Sequence, residues 1–263
     1  MRIATWNVNS VGARLPRLLT WLEETAPDVV ALQETKTATF PTAEVAALGY
    51  EVAHNGDGRW NGAAILSRVG LEDIALAFPG QPGYAGDEDG LFDVPVVEAR
   101  AVGATCGGLR FWSLYVPNGR SVDHAHYSYK LQWLAALRTA LTAEVAAGPF
   151  VVTGDFNIAP TDADVWDVND FVGSTHVTAP ERQALLDLQS LGLRDVLPRA
   201  QKYDTPFTYF DYRAGMFHKN KGMRIDLVYA NASVDVQDAY VDRAARKGTG
   251  PSDHCPVVVD LSL

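Results

Sequence analysis

The sequence predicts a mixed α/β chain of the α+β type: two packed β-sheets with helices on their outer faces, in one domain over residues 1–263. Three observations predict it. Strand-like apolar runs come in series, with long helical stretches between only some of them, a pattern of packed layers. The 263 residues, 47% of them hydrophobic, suffice for a full core. No internal repeat, low-complexity tract or linker divides the chain.

Residues 2–8 read as a short strand. Leu15, Leu18, Leu19 and Leu22 then recur at helical spacing, predicting an amphipathic helix that ends near Pro27. "DVVALQE" is a buried strand, followed by a short helix around Ala43 to Leu48. Four strand candidates come next: "YEVAHN", "GAAILSR", "DVPVVEARAV" and "LRFWSLYVP". From about His126 to Ala147 a long helix sets Leu131, Leu134, Leu141 and Val145 on one side. "PFVVTGD" is another buried strand, and a loop-rich stretch holds a helix near Glu181 to Leu191. The closing strands are "RIDLVYA", "VDVQDAYV" and "CPVVVDLSL".

A net charge of −10 argues against a protein that coats nucleic acid generally, but allows an enzyme with a local basic strip beside an acidic metal pocket. Charge is unevenly spread. Residues 212–225 carry no acid but include Arg213, His218, Lys219, Lys221 and Arg224, and Arg243, Arg246 and Lys247 form a second basic cluster. Acid gathers in "GDEDGLFD" and "TDADVWDVND". Cys106 and Cys255 can form at most one disulfide, and in a reducing compartment they act as small buried apolar residues. The start "MRIATWNVNS" lacks a signal-peptide core, and no apolar run reaches bilayer-spanning length. A cytoplasmic protein without a membrane partner is therefore expected, and nothing demands more than a monomer.

Polar residues stand where strands stop. "IATWNVN" ends in Asn7 and Asn9, "VVALQE" in Gln33 and Glu34, and "FWSLYVPNG" carries Tyr115 before its turn. "FVVTGDFN" runs into Asp155 and Asn157, and "RIDLVY" places Asp226 near its start. "GTGPSDHCPVVVD" sets Asp253 beside His254 just ahead of a strand. Singly, each has an ordinary explanation: a solvated strand end for Glu34, an Asx-turn for Asp155, core filling for Tyr115, turn closure for Asp253. Asp226, between apolar neighbours in a buried strand, needs a partner, and an imidazole is a natural one.

Gathered at one rim, these groups suit hydrolysis of a phosphodiester. Hard oxygen ligands such as Glu34 and Asp253 fit Mg²⁺ or Mn²⁺. Asp155 is a candidate to orient and deprotonate water, with Asn157 fixing its position. Asp226 would hold His254 in one tautomer and favour its charged form. Asp253 would then turn to the metal and His254 to the phosphate, since adjacent side chains in an extended segment diverge.

In this order, "RIATWNVNSV", "LQETK", "YVPNG", "GDFNIAP", "FTYFDYR", "GMRIDLV" and "PSDHCPV" resemble the exonuclease III family of abasic-site endonucleases, within the endonuclease/exonuclease/phosphatase superfamily, over nearly the whole chain. The resemblance implies a four-layer αββα sandwich with a divalent metal at one edge. It implies cleavage of double-stranded DNA 5′ to abasic sites and 3′→5′ digestion of duplex ends. Matched residue by residue, Asn7, Glu34 and Asp253 fall at metal positions and Tyr115 at a phosphate-contacting tyrosine. Asp155 matches the proton-transferring carboxylate, Asn157 the transition-state stabiliser, and Asp226 with His254 the paired acid and histidine. Asp155, Asn157 and His254 also match a second metal position, so one or two ions are implied. Tyr209, Phe210 and Met223 fall where relatives wall a pocket for the base-less sugar, although some relatives carry tryptophan in place of Met223. Arg120, Arg213, Lys219 and Lys221 would grip phosphates.

Other phosphoesterases of the superfamily share the metal glutamate and the Asp–His pair: DNase I-like nucleases, inositol-phosphate phosphatases and sphingomyelinases. The block "FTYFDYRAGMFHKNKGMRID" is what separates them, because it resembles the abasic endonucleases. A catalytically silent nucleic-acid-binding protein of this fold should show substitutions at the metal and water-handling positions. None is found here.

Overall fold

The computed structural model describes residues 1–86 and 94–263. The strands are β1 (Arg2–Asn7), β2 (Val29–Gln33), β3 (Glu51–Asn55), β4 (Ala63–Ser67), β5 (Glu72–Ala75), β6 (Ala101–Cys106), β7 (Leu109–Tyr115), β8 (Phe150–Asp155), β9 (Arg194–Asp195), β10 (Asp226–Ala230), β11 (Asp235–Val241) and β12 (Val257–Ser262). The helices are α1 (Val11–Thr25), α2 (Thr42–Ala46), α3 (Ala125–Ala147) and α4 (Ala179–Gln189). Two six-stranded sheets result, in the orders β11-β12-β1-β2-β4-β3 and β5-β6-β7-β8-β10-β9.

Each sheet has one parallel pair near its centre, β1 with β2 and β7 with β8, and its remaining pairs are antiparallel. A parallel pair needs a crossover, and α1 and α3 supply the two. This topology positions the site. The carboxyl ends of β1, β2, β7 and β8 meet the starts of antiparallel β10 and β12 at one rim.

Alternation along the strands builds three layers of core. Ile3, Val29, Ala31 and Ile65 of one sheet face Val102, Ala104, Phe111, Val151 and Val228 of the other. Outward-pointing Trp6, Val30, Leu32 and Leu66 receive Leu18, Trp21 and Leu22 of α1. Trp112, Leu114, Val152 and Tyr229 receive α3 and α4. The expected sandwich of sheets between helices is the one observed.

Some elements differ from expectation. The buried stripe of α3 includes Trp133 and Leu137, while Leu131 is only half-buried. Within "DVPVVEARAV" the ladder begins only at Ala101, and upstream there is a single bridge from Val96 to Tyr84. Pro95 has no N–H to offer a continuous strand there. The short strands β5 and β9 were not expected; β5 is an exposed charged edge, with no buried face to give a periodic signal. The acidic run "GDEDGLFD" lies outside the described residues from position 87 onward. Among the described residues no helix is long and apolar enough to cross a membrane, and both cysteines are buried free thiols.

His126 opens α3 from a buried position, its Nδ1 accepting the Gly119 N–H at 3.1 Å and its ring lying edge-on to Tyr84 and Tyr129. Burial, with Arg100 nearby, pushes its pKa down from 6.5 to about 4. Protonation therefore favours the unfolded chain, so the His126 contribution is present above pH 6.5 and lost as pH falls toward 4. The urea midpoint of the wild type should fall further between those pH values than that of His126→Gln. Parallel curves would show that His126 is not the titrating group.

Candidate active site

Register alone sets three site residues in a row. Tyr115 pairs with Asp155 across β7 and β8, and Asp155 with Asp226 across β8 and β10. Gly154 allows the close approach: its φ is 146°, and a Cβ there would stand 1.9 Å from the Leu114 carbonyl oxygen. From the other sheet, the Asn7 amide crosses to donate to Glu34 Oε1 at 2.8 Å and Asp155 Oδ2 at 2.9 Å. Glu34 reaches back into the rim because its backbone is left-handed, with φ of 51°.

The neighbours Asp253 and His254 diverge, at a bend closed by the Ser252 hydroxyl, which accepts the His254 N–H at 3.1 Å. Asp253 Oδ1 accepts from Asn9 Nδ2 at 3.1 Å on the outer rim. His254 turns inward, its Nδ1 donating to Asp226 Oδ2 at 2.7 Å, with Nε2 3.8 Å from Asp155 Oδ2. Thr208 Oγ1 accepts the N–H groups of Ile225 and Asp226 at 3.2 and 3.1 Å and so fixes the start of β10. The second Asp226 oxygen is buried without a hydrogen-bond partner among the described residues.

Electrostatics follows from this crowding. Burial alone would push the His254 imidazole down, but Asp226 and Asp155 together raise it to about 10, so it is protonated at neutral pH. Burial raises the Asp155 carboxyl to about 7; Asp226 and Glu34 add to that, while His254 opposes it. Glu34 is desolvated, yet Lys36 and the Asn7 amide hold it below the usual carboxylate range. Burial, then Glu34, keeps the Tyr115 phenol well above its ordinary value and therefore a neutral donor. The Arg100 guanidinium lies 4.9 Å over the Tyr115 ring and steadies it.

The Asp155 turn is an Asx-turn as well as a site: Asn157 N–H donates to Asp155 Oδ1 at 2.9 Å. The Asn157 side chain donates to Val116 O at 3.0 Å and accepts from Asn118 at 3.1 Å. Asp155, Asn157 and Asn118 line a cavity of about 180 Å³ together with the polar Glu34, Tyr115 and His254 and with Tyr209, Met223 and Ile225. Glu34, Asp155 and His254 each bring one side-chain N or O atom within 4.8 Å of the other two. The Glu34 and Asp155 carboxylates are hard oxygen donors that suit Mg²⁺ or Mn²⁺, while the protonated His254 has no lone pair for an ion and stands beside them as a hydrogen-bond donor. The structure thus draws Glu34 together with Asp155 and His254, across the two ligand sets expected from sequence, while Asn7 and Asp253 flank them.

A second cavity of about 340 Å³ adjoins the first, sharing His176, Tyr209 and Met223. Arg120 and Lys221 line it, with Lys221 3.7 Å over the Trp166 ring. Phe210 does not line either cavity, a correction to the sequence reading. Tyr209 forms bridges with Met223 and His254, so its extended neighbour Phe210 points the opposite way, fully buried against Phe207 and Phe217. Arg213 is 87% exposed and paired with Asp211, and Lys219 is exposed. Arg243 and Arg246 are structural: they stack on Phe217, and Arg246 donates to the Asp253 and Phe210 carbonyls. Sequence reasoning missed Lys36, Asn118, Trp166 and His176 at the site. Lys36 stands two positions after Glu34, in "LQETK", and Asn118 within "YVPNG"; Trp166 and His176 carried no local signal.

With this fold and rim in place, comparison with known proteins is informative. The Endonuclease/Exonuclease/phosphatase family matches residues 4–254, and the chain belongs to that family. Over 273 residues it is 31% identical to exodeoxyribonuclease III of Haemophilus influenzae, covering 98% of each chain. The 3′-5′ exonuclease NExo from Neisseria meningitidis superposes with a TM-score of 0.90 at 35% identity, covering 100% of both chains. A further structure, described as the 3′ phosphatase NExo bound to product DNA hairpin, gives 0.90 at 34% with the same coverage. An AP endonuclease from Archaeoglobus fulgidus gives 0.89 at 32%, again covering 100% of both. These relatives, similar over the full length, are of the exonuclease III and AP endonuclease kind.

Proposed function

We propose that this chain is a divalent-metal-dependent DNA repair nuclease that hydrolyses phosphodiesters 5′ to abasic sites and digests duplex DNA 3′→5′, leaving 3′-hydroxyl ends. The observation that carries the reading is the row Tyr115–Asp155–Asp226 meeting His254 and Glu34 in one cavity. Asp155, near its neutral point, takes the proton of the attacking water, and the Asn157 N–H holds that carboxylate in place. His254, kept charged by Asp226, donates through Nε2 to a phosphate oxygen as negative charge builds. The neutral Tyr115 hydroxyl donates to a second oxygen. The P–O bond to the upstream 3′-oxygen breaks, and that oxygen leaves as an oxyanion and takes a proton from solvent to become the product hydroxyl. One or two Mg²⁺ or Mn²⁺ ions at Glu34 would neutralise the phosphate and the leaving oxyanion.

Arg120 and Lys221 would hold flanking phosphates, with Arg213 and Lys219 as outer contacts. Tyr209 and Met223 would wall the sugar. These two side chains line both the 180 Å³ cavity at the catalytic groups and the 340 Å³ cavity beside it, so the sugar would sit where the two meet. The likeness to the Neisseria structure named for that activity supports a second reading, removal of a 3′-terminal phosphate.

The test is a duplex carrying one stable abasic analogue, labelled at the 5′ end of that strand and run with Mg²⁺ or with EDTA. The expected result is one metal-dependent band ending in a 3′-hydroxyl just before the lesion. A ladder shortening from the 3′ end would make exonuclease the main activity. Turnover of only a 3′-phosphorylated control would favour the phosphatase reading. No cleavage with either Mg²⁺ or Mn²⁺ would remove the DNA-repair assignment.

A further inference from the structure

Behind the cavity lies an ion pair to which the proposed chemistry gives no part. Lys130 on the inward face of α3 and Glu181 in the first turn of α4 are both fully buried, and their charged ends meet at 2.5 Å. Withdrawing two charges from water is costly, and apolar side chains of similar volume often serve stability as well or better. What the pair holds points to another purpose. The Lys130 ammonium also donates to the carbonyl oxygens of Asn157 at 2.7 Å and Asn118 at 3.1 Å, with Thr175 Oγ1 at 3.4 Å. Glu181 Oε1 accepts from the Thr175 hydroxyl at 2.6 Å and the His176 N–H at 2.9 Å. Its Oε2 accepts from the N–H and hydroxyl of Thr178 at 3.0 and 2.8 Å.

Three loops that reach the cavity, 117–119, 156–158 and 174–178, therefore close on one buried pair. Two of them carry the amide pair Asn118–Asn157, and the Asn157 N–H holds Asp155. We propose that Lys130 and Glu181 are positioning residues: the pair clamps the backbones of Asn118 and Asn157 so that these amides and Asp155 keep the geometry hydrolysis requires. The clamp rests on the hydrolase reading above. It acts through hydrogen bonds to carbonyls, so apolar replacements cannot reproduce it even where they fill the space.

The test compares Lys130→Met with the charge-neutral double variant Lys130→Met/Glu181→Gln. The single variant leaves a buried carboxylate unpaired and should lose both melting temperature and rate. The double variant should recover most of the melting temperature. Its kcat should stay about 10–100-fold low, with KM within about threefold of wild type. Amide exchange at Asn157 should be at least roughly tenfold faster in the double variant, with Val151 and Val152 in β8 unchanged. Recovery of kcat along with melting temperature would reduce the pair to a structural role, as would unaltered exchange at Asn157. If the wild type cleaved no DNA, the proposed function would fall, and the exchange measurement would still decide the clamp.

Discussion

Asp155→Asn is expected to lower the single-turnover rate of DNA cleavage by about 10²–10⁴-fold, the usual contribution of a positioned general base. The replacement keeps the shape of the side chain and one of the two 2.9 Å hydrogen bonds it accepts, from the Asn157 N–H and the Asn7 amide, because its NH₂ cannot accept the other. It removes the capacity to take a proton. The groups proposed to grip DNA, Arg120 and Lys221, lie in the adjoining cavity and are untouched. Duplex affinity, measured by fluorescence anisotropy in EDTA, should therefore stay within about threefold of wild type. A variant that cleaved at nearly the wild-type rate would take Asp155 out of the role of base. Loss of affinity in step with rate would make it a binding residue.

Asp226→Asn should be nearly as severe, and for a different reason. Asp226 never meets the substrate in the proposed chemistry; it holds His254 at 2.7 Å and keeps it charged. Without that charge, burial pushes the imidazole down with Asp155 as the main opposing group. The rate should fall by about 10²–10³-fold at pH 7, and the alkaline limb of the pH–rate profile should move to lower pH. Stability should change with it. His254 is held near 10 against an ordinary 6.5, so its contribution is complete below pH 6.5 and is lost as pH rises through 10. Breaking a buried charged pair costs about 3–5 kcal/mol, and that loss should shrink toward pH 10. An alkaline limb that stayed in place would show that His254 is not the titrating donor.

The rim was legible because strand periodicity locates strand ends, and most of the site is built from strand ends. Asn7, Tyr115, Asp155 and Asp226 all terminate or begin ladders, so residues distant in sequence could be gathered once two sheets were expected. The rule that an extended backbone sends neighbours apart separated Asp253 from His254, although the structure parts them at a bend closed by Ser252. That rule also explains Phe210, which the family resemblance set in the pocket beside Tyr209. Adjacent extended residues cannot both face one cavity, and Tyr209 holds that side.

Less legible was whatever depends on loops meeting in space. Lys130 falls among the apolar positions of α3 and breaks its pattern, a signal without an address until Glu181 and the two asparagine loops are seen around it. His176 and Trp166 lie in stretches without periodicity, and only the folded chain brings them to the cavities. The edge strand β5 has no buried face, so nothing in its composition sets it apart from a loop.

The measurement closest to the central claim, that these strand ends form one cation-dependent hydrolytic site, is Mn²⁺ binding followed by electron paramagnetic resonance. It should be made on the wild type and on Glu34→Gln, without DNA. The Glu34 and Asp155 carboxylates converge beside His254, with atoms within 4.8 Å of one another, so the wild type should bind one or two ions. Glu34→Gln should weaken the tighter site by at least about tenfold, a loss of ~1.4 kcal/mol or more. Equal binding by both proteins, or none by the wild type, would contradict a metal site at this rim.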